Sequence, residues 1–312
     1  MLPPKKSEFQ LIDRFRSEQS NRPDVLVGIG DDTAVVRWHD SGQGLVTTDM
    51  LLEGVHFEMP SSSPQQIGRK ALAVNISDIA AMAGRPKFAV ISLGLSSRHD
   101  PEVAIGLFEG LQQLATEFDI AIIGGDTNAW DGPLVINVAL TGDPHPRGSV
   151  TRSGARVGDW IMVTGELGGS ILGRQFSFQP RVVEATRLHD LVELHAMLDV
   201  SDGLVADLYH ILEESSVGAV LYEDAIPISD AARAMTGPLS PLEHALGDGE
   251  DFELLFTVDP ADGARLMCEA PSIGVRLSHI GEIIAEPACR LRSRSGEETV
   301  LPRLGWDHAL KS

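Results

Sequence analysis

The segment KALAVNISDIAAMAG, residues 70–84, is apolar on nearly every face of a helix, and that forces it to be buried. Asn75 and Asp78 nevertheless stand three residues apart within it and therefore share one face. An unpaired carboxylate is costly to bury. One that holds a cation, or caps a neighbouring backbone, is not. The helix is expected to begin near Pro64, a favoured first-turn residue, and to run to Ala83, stopped by Gly84-Arg85-Pro86.

Six more aspartates stand where a strand or helix gives way to a Gly-, Ser- or Thr-rich turn. They are Asp31 and Asp32 in GIGDDTAVV, Asp49 in TTDMLLEGVHF, Asp126 in IIGGDTNAW, and Asp199 and Asp202 in MLDVSDGL. Gathering such acids beside apolar runs brings repulsion and desolvation unless positive charge joins them. Hard divalent cations meet that need, with oxygen ligands from carboxylates, hydroxyls and substrate phosphates. The pattern points to magnesium and phosphate chemistry.

The 312 residues suit two domains of about 150 residues each. A formal charge of −20 and an aromatic content of 5% argue against nucleic acid, which needs a basic footprint and stacking platforms. No apolar run reaches the length of a membrane span, and the N-terminal MLPPKKSEFQLIDRF lacks an apolar signal core. Cys268 and Cys289 stand 21 residues apart without a CxxC partner, which suits buried or half-buried thiols in a reducing cytosol. A cytoplasmic protein with no nucleic-acid or membrane partner is expected.

Residues 8–19 read as an amphipathic helix. Strands follow at 33–38 and 44–49, separated by the turn His39-Asp40-Ser41-Gly42. KFAVISLGL reads as a strand, residues 101–118 as a helix, and DIAIIGG and PLVINVALTGD as strands. This mixture of alternating and directly paired elements gives an α/β (α+β) fold with mixed sheets and helices packed on them. The Pro-, Gly- and Arg-rich stretch 143–159 places a boundary near 147, giving domains 1–147 and 148–312. In the second domain DWIMVTG, MLDVSDG, DFELLFTV and VRLSHIGEII read as strands, with helices near 180–196 and 203–214.

No GxxxxGK[ST] phosphate loop, protein-kinase set, Ser–His–Asp set, HExxH or dinucleotide GxGxxG occurs. Gly165-Glu166-Leu167-Gly168-Gly169-Ser170, between a strand and a helix, suits either a phosphate loop or a plain turn. Thr47, Thr48 and Asp49 read as the end of a strand carrying three successive oxygen donors. Asp126 ends IIGGD as an anion or metal turn would. Asp199 and Ser201 point the same way if the strand continues through them, and Asp202 suits both a ligand and the N-cap of the following helix. Arg152 suits a phosphate at an interdomain hinge, with Arg156 as a salt-bridged neighbour. His56 suits a structural or a substrate contact. Glu250, with Asp251 just before a strand, suits a cationic ring or amine, or a plain turn acid.

In combination these segments resemble the thiamine-monophosphate kinase family. That family belongs to the superfamily of aminoimidazole ribonucleotide synthetase and selenophosphate synthetase. GIGDD, TTDMLLEGVHF, KALAVNISDIAAMAG, IIGGDT, TRSGARVGDWIMVTG, DVSDGLVADL, GDGEDFELLFT, IGEI and GWDH occur in order along nearly the whole chain. The selenophosphate enzyme's reactive N-terminal Cys or selenocysteine is missing. So is the cysteine tail of the hydrogenase-maturation relative, and DMLLEGVHF stands where the purine enzyme has a DGVGTK-like segment.

The resemblance implies a two-domain aminoimidazole ribonucleotide synthetase-like fold. Its first domain would bind ATP and magnesium and pair across a homodimer, and its second would complete the nucleotide and substrate site. It implies direct in-line phosphoryl transfer from ATP, as co-substrate, to thiamine monophosphate. Asp32, Thr47, Thr48, Asp49, Asp78, Asp126, Asp199 and Asp202 would bind several magnesium ions. Gly125, Asp126, Arg152 and Ser201 would contact ATP, and His56, Glu250 and Trp306 the thiamine. No residue would act as a general base. The alternatives are a superfamily enzyme with another acceptor, or a nucleotide-binding protein without turnover.

Overall fold

The computed structural model describes residues 23, 25–28, 31–38, 42–59 and 61–306. The helix expected over 8–19 and the turn residues His39, Asp40 and Ser41 lie outside them.

Six strands form the first sheet: β1 (Val25–Val27), β2 (Ala34–Trp38), β3 (Gly42–Leu52), β4 (Arg85–Ser96), β5 (Ala121–Trp130) and β6 (Val135–Asp143). Their order is β1-β2-β3-β6-β4-β5, antiparallel except for the β4–β5 pair. That parallel pair is joined by helix α2 (Glu102–Glu117), the kind of crossover that parallel strands require.

Helix α1 (Pro64–Ala81) starts at a capping box. The Ser63 side chain accepts from the Gln66 N–H, and the Gln66 side chain accepts from the Ser63 N–H. The helix packs closely on α2, because a side chain at Gly68 would strike the Leu107 carbonyl and one at Gly110 the Gln65 carbonyl.

The second sheet has seven strands: β7 (Trp160–Thr164), β8 (Ala196–Asp199), β9 (Gly218–Tyr222), β10 (Leu254–Val258), β11 (Leu277–Ile284), β12 (Cys289–Arg292) and β13 (Glu298–Val300). Their order is β13-β12-β9-β11-β7-β10-β8, and only β9 and β12 run parallel. Five helices accompany it: α3 (Val182–Leu191), α4 (Leu204–Ser215), α5 (Asp230–Ala234), α6 (Pro241–Gly247) and α7 (Pro260–Ile273). Its central strands are buried on both faces, so they read as continuous apolar runs. In β7, Met162 points into one core with α3 and α7, while Ile161 and Val163 point into another with α4 and α6.

The Met162 core is continuous with the interior of the first sheet. Helix α1 joins them, packing against β3 and β6 on one side and α3 and β8 on the other. Enclosure by two sheets and two helices explains why it is apolar all round.

Two strand ends differ from the sequence reading. Thr47, Thr48 and Asp49 lie inside β3, and β5 continues through Gly125 and Asp126 to Trp130. Antiparallel pairing of β3 with β6 and parallel pairing of β5 with β4 carry both strands past their polar residues.

Candidate active site

Strand β3, helix α1 and the end of β8 converge on a group of acids. Asp32 enters from the segment before β2, Asp49 from β3, Asp78 from α1 and Asp199 from the last position of β8. One carboxylate oxygen from each of Asp32, Asp78 and Asp199 lies within 4.8 Å of the other two. Asp49 adjoins through a side-chain contact with Asp78. Thr47 Oγ1 donates to Asp78 Oδ2 at 2.6 Å, and Ser77 Oγ donates to Asp199 Oδ2.

Asn75 plays a different part from Asp78. Its Oδ1 accepts from the Asp49 N–H at 3.1 Å and its Nδ2 donates to the Ala71 carbonyl, which fixes β3 against α1.

Burial pushes the Asp78 carboxyl well above the ordinary range, and the charges of Asp49, Asp199 and Asp32 push it further. Asp199 is raised to about 8 by burial and then by Asp32. Asp49 is also raised, mainly by burial. These oxygen donors are therefore short of positive charge. With neither sulfur nor imidazole among them, they match the donor set of a hard divalent cation.

Arg152 supplies the nearest cation, and it is already engaged. Its Nη2 and Nε donate to the two oxygens of Asp32 at 3.0 and 3.1 Å, and its backbone N–H points at the Asp31 carboxylate. Burial, with the Asp32 charge, raises Asp31 to about 7. Arg156 pairs instead with Glu193 at 3.1 Å on the surface.

The acids open onto a cleft of about 960 Å³. Asp49, Asp78, Arg152, Ser201 and Asp202 line it, and His56, Glu250 and Trp306 line it with them. Ile171, Leu172 and Phe176 supply apolar wall. His56 Nδ1 accepts from the Leu52 N–H at 3.0 Å, which fixes its ring. The Trp306 backbone N–H donates to the Asp202 carbonyl at 2.9 Å, and the residue is 56% exposed.

Three predicted residues are not brought to this cluster. Successive strand side chains alternate faces, so Thr48 points away from Thr47 and Asp49. Its hydroxyl donates to the Val138 carbonyl and accepts from Asn137 Nδ2. Asp126 pairs in register with Ser92, and Ser92 with Asn137, so it shares that opposite, exposed face. Gly125 sits against the Ile91 backbone, where a side chain would collide with the carbonyl.

Two alternatives left open by the sequence are decided. Asp202 does not cap α4, whose N-cap is Gly203 without a side-chain cap. Asp207, inside the first turn, accepts from the N–H groups of Asp202 and Gly203 at 3.0 Å. The Gly165–Ser170 turn is no free phosphate cradle. Its Gly168 N–H donates to Asp251, its Gly169 N–H to Asp248, and its Ser170 hydroxyl to Asp251. Glu253, buried beside it, ion-pairs with Arg174 and Arg181, and Asp251 lies near Arg174, so these acids are structural.

Sequence reasoning passed over Asp207 and Lys70, which stand in LVADLY and KALAV. A lone charge within an apolar run was the signal available for both. Asp207 is buried at the cleft, its carboxyl pushed well up by burial and by Asp202 and Asp199.

Residues 30–143 match the AIR synthase related protein, N-terminal domain, and residues 156–294 its C-terminal domain. The chain is 39% identical to the thiamine-monophosphate kinase of Rhodopirellula baltica, over 96% of this chain and 97% of that one. It belongs to the thiamine-monophosphate kinase family. The Escherichia coli K12 member is 35% identical over 96% of this chain and 98% of its own. The solved structure "AaThiL complexed with AMPPCP and TMP" aligns with a TM-score of 0.83 at 29% identity, covering 97% of each chain. Family membership thus extends through both sheets and the whole cleft.

Proposed function

We propose that the protein transfers the γ-phosphoryl group of ATP to thiamine monophosphate, giving thiamine diphosphate and ADP. One observation carries this reading: the buried cluster of Asp32, Asp78 and Asp199 lies beside a cleft that also presents His56, Glu250 and Trp306. The relatives named above are thiamine-monophosphate kinases, and one solved relative is a complex with AMPPCP and TMP.

The acceptor is a phosphate monoester, already largely ionised near neutral pH, so no side chain need remove a proton from it. The difficulty is electrostatic. Two polyanions must approach in line at a site rich in carboxylates. Magnesium fits the all-oxygen donor set, and when bound it would neutralise the phosphates and the acids together. Asp32, Thr47, Asp49, Asp78, Asp199 and Asp202 would hold it. Arg152 and Ser201 would contact ATP. Glu250 would face the cationic thiazolium ring of thiamine, with Trp306 offering an aromatic face and His56 a ring fixed through Nδ1.

A homodimer completes the proposal. The first sheet leaves Trp38, Met50, Phe88 and Val90 exposed on the face opposite α1, a patch suited to burial by a second copy. Thr48 and Asp126 point to that side, Gly125 adjoins Asp126 on β5, and their roles toward metal and ATP rest on the pairing. Two free cysteines, one exposed, suit a reducing cytoplasm, and among the described residues no helix is long and apolar enough to cross a membrane.

The test is a magnesium-dependent assay with ATP and thiamine monophosphate, following thiamine diphosphate by chromatography with free thiamine as control acceptor. Thiamine diphosphate formed from the monophosphate alone is the expected result. ADP release without it would move the search to another acceptor.

A further inference from the structure

Lys70 is completely buried in α1 with its ammonium group turned to the base of the cleft. All three of its N–H bonds have acceptors: the His56 carbonyl at 2.8 Å, Gln175 Oε1 at 2.5 Å and Glu250 Oε1 at 2.5 Å. The Phe176 ring lies 5.2 Å from Nζ. These partners come from three separate segments, and each segment lines the cleft.

Glu250 needs such an anchor. Its backbone has φ 66° and that of Phe252 φ 51°, the left-handed region that disfavours any residue with a side chain. Its side chain is 25% exposed, against none for Lys70. One oxygen is held by Lys70, and among the described residues no hydrogen bond engages the other. Burial lowers the Lys70 pKa, and the Glu250 carboxylate beside it counters that.

We propose that Lys70 is a positioning residue for thiamine monophosphate: it orients Glu250 and the His56 loop so that one carboxylate oxygen faces the substrate's cationic thiazolium ring. Resting on the functional reading above, this assigns to a buried cation the task of aiming a substrate-binding anion. Lys70 makes no contact with the metal-site acids, so its effect falls on the thiamine side of the reaction and spares the ATP side.

The experiment is a double-mutant cycle read by steady-state kinetics with each substrate varied in turn. Lys70→Met keeps the length and removes the charge. It is expected to raise KM for thiamine monophosphate by on the order of 100-fold, with KM for ATP within about twofold of wild type. Glu250→Gln should act in the same direction. The K70M/E250Q double variant should be no worse than the poorer single variant, because both lesions remove one interaction. Gln175→Met, which keeps the ion pair but removes one anchor, should raise the same KM several-fold, and it serves if K70M fails to fold. Equal rises in both KM values, losses that multiply in the double variant, or an unchanged KM for thiamine monophosphate in K70M would overturn the role of Lys70. A wild-type protein that does not phosphorylate thiamine monophosphate at all would overturn the functional reading instead.

Discussion

Arg152 holds both oxygens of Asp32, at 3.0 and 3.1 Å, across 120 residues of sequence. The best phosphate-binding cation in the cleft is thus paired with one of the acids expected to bind metal. On the proposed function Asp32 would serve both Arg152 and the metal, so cation binding would release the guanidinium toward ATP.

Arg152→Met should therefore raise KM for ATP by about tenfold to a hundredfold, the worth of a charge-assisted contact. In metal-free protein it should also lower stability by about 3 kcal/mol, because Asp32 loses its partner. Magnesium should recover most of that loss. Melting curves of wild type and variant, with chelator and with magnesium, measure the difference. An equal loss in both conditions would break the link between Arg152 and the metal.

Stability should depend on pH and metal together. Asp199 is raised from 3.8 to about 8 and Asp31 from 3.8 to about 7, so both hold more protons folded than unfolded across that interval. Stability of the metal-free protein should consequently fall as pH rises from 3.8 through about 8. Magnesium, which binds the ionised cluster, should raise the melting temperature more at about pH 8.5 than at about pH 5.5. A magnesium shift independent of pH would contradict this.

Substitutions in the acids should separate the roles of the two sheet faces. Asp49→Asn and Asp78→Asn should lower kcat by about 1,000-fold or more and raise the stability of metal-free protein at alkaline pH, since each removes a buried repulsion. Asp126→Asn should abolish turnover too, yet leave metal-free stability unchanged, because Asp126 is exposed on β5. Retained turnover in all three would remove the metal cluster from the mechanism.

The exposed face of the first sheet should be covered in solution. Val90→Glu, which puts a charge at the centre of that apolar patch, should convert a dimer into a monomer by sedimentation and reduce activity with it. A wild-type protein that sediments as a monomer at assay concentration would exclude the pairing.

The strands and helices of the first half were largely legible, because periodicity and turn residues act locally. In the second half β9, β12, β13 and helices α5, α6 and α7 were not read, and the helix expected to 196 stops at Leu191. Helix α1 announced its own burial through KALAVNISDIAAMAG, and Asp78 stood out as a carboxylate whose burial has to be offset. Asn75 looked equivalent but ties β3 to α1, a distinction that depends on a strand 26 residues away. The motif TTD read as three ligands together, whereas strand pairing carries β3 through all three and alternation turns Thr48 outward. Asp202 shows the same limit: by sequence it could cap α4, whereas the path of the chain into the helix turns its N–H and that of Gly203 onto Asp207.

By itself the sequence determined that this chain has two α/β halves, a set of acids standing beside apolar runs, and the motif series of one family. It did so because apolar periodicity, turn chemistry and motif order are properties of short stretches. The tertiary structure alone decided which acids meet, that Arg152 pairs with Asp32, that the Gly165–Ser170 turn serves Asp251, and that Lys70 holds Glu250. Those outcomes depend on distances between segments up to 180 residues apart, and on a buried charge finding its partner across the cleft.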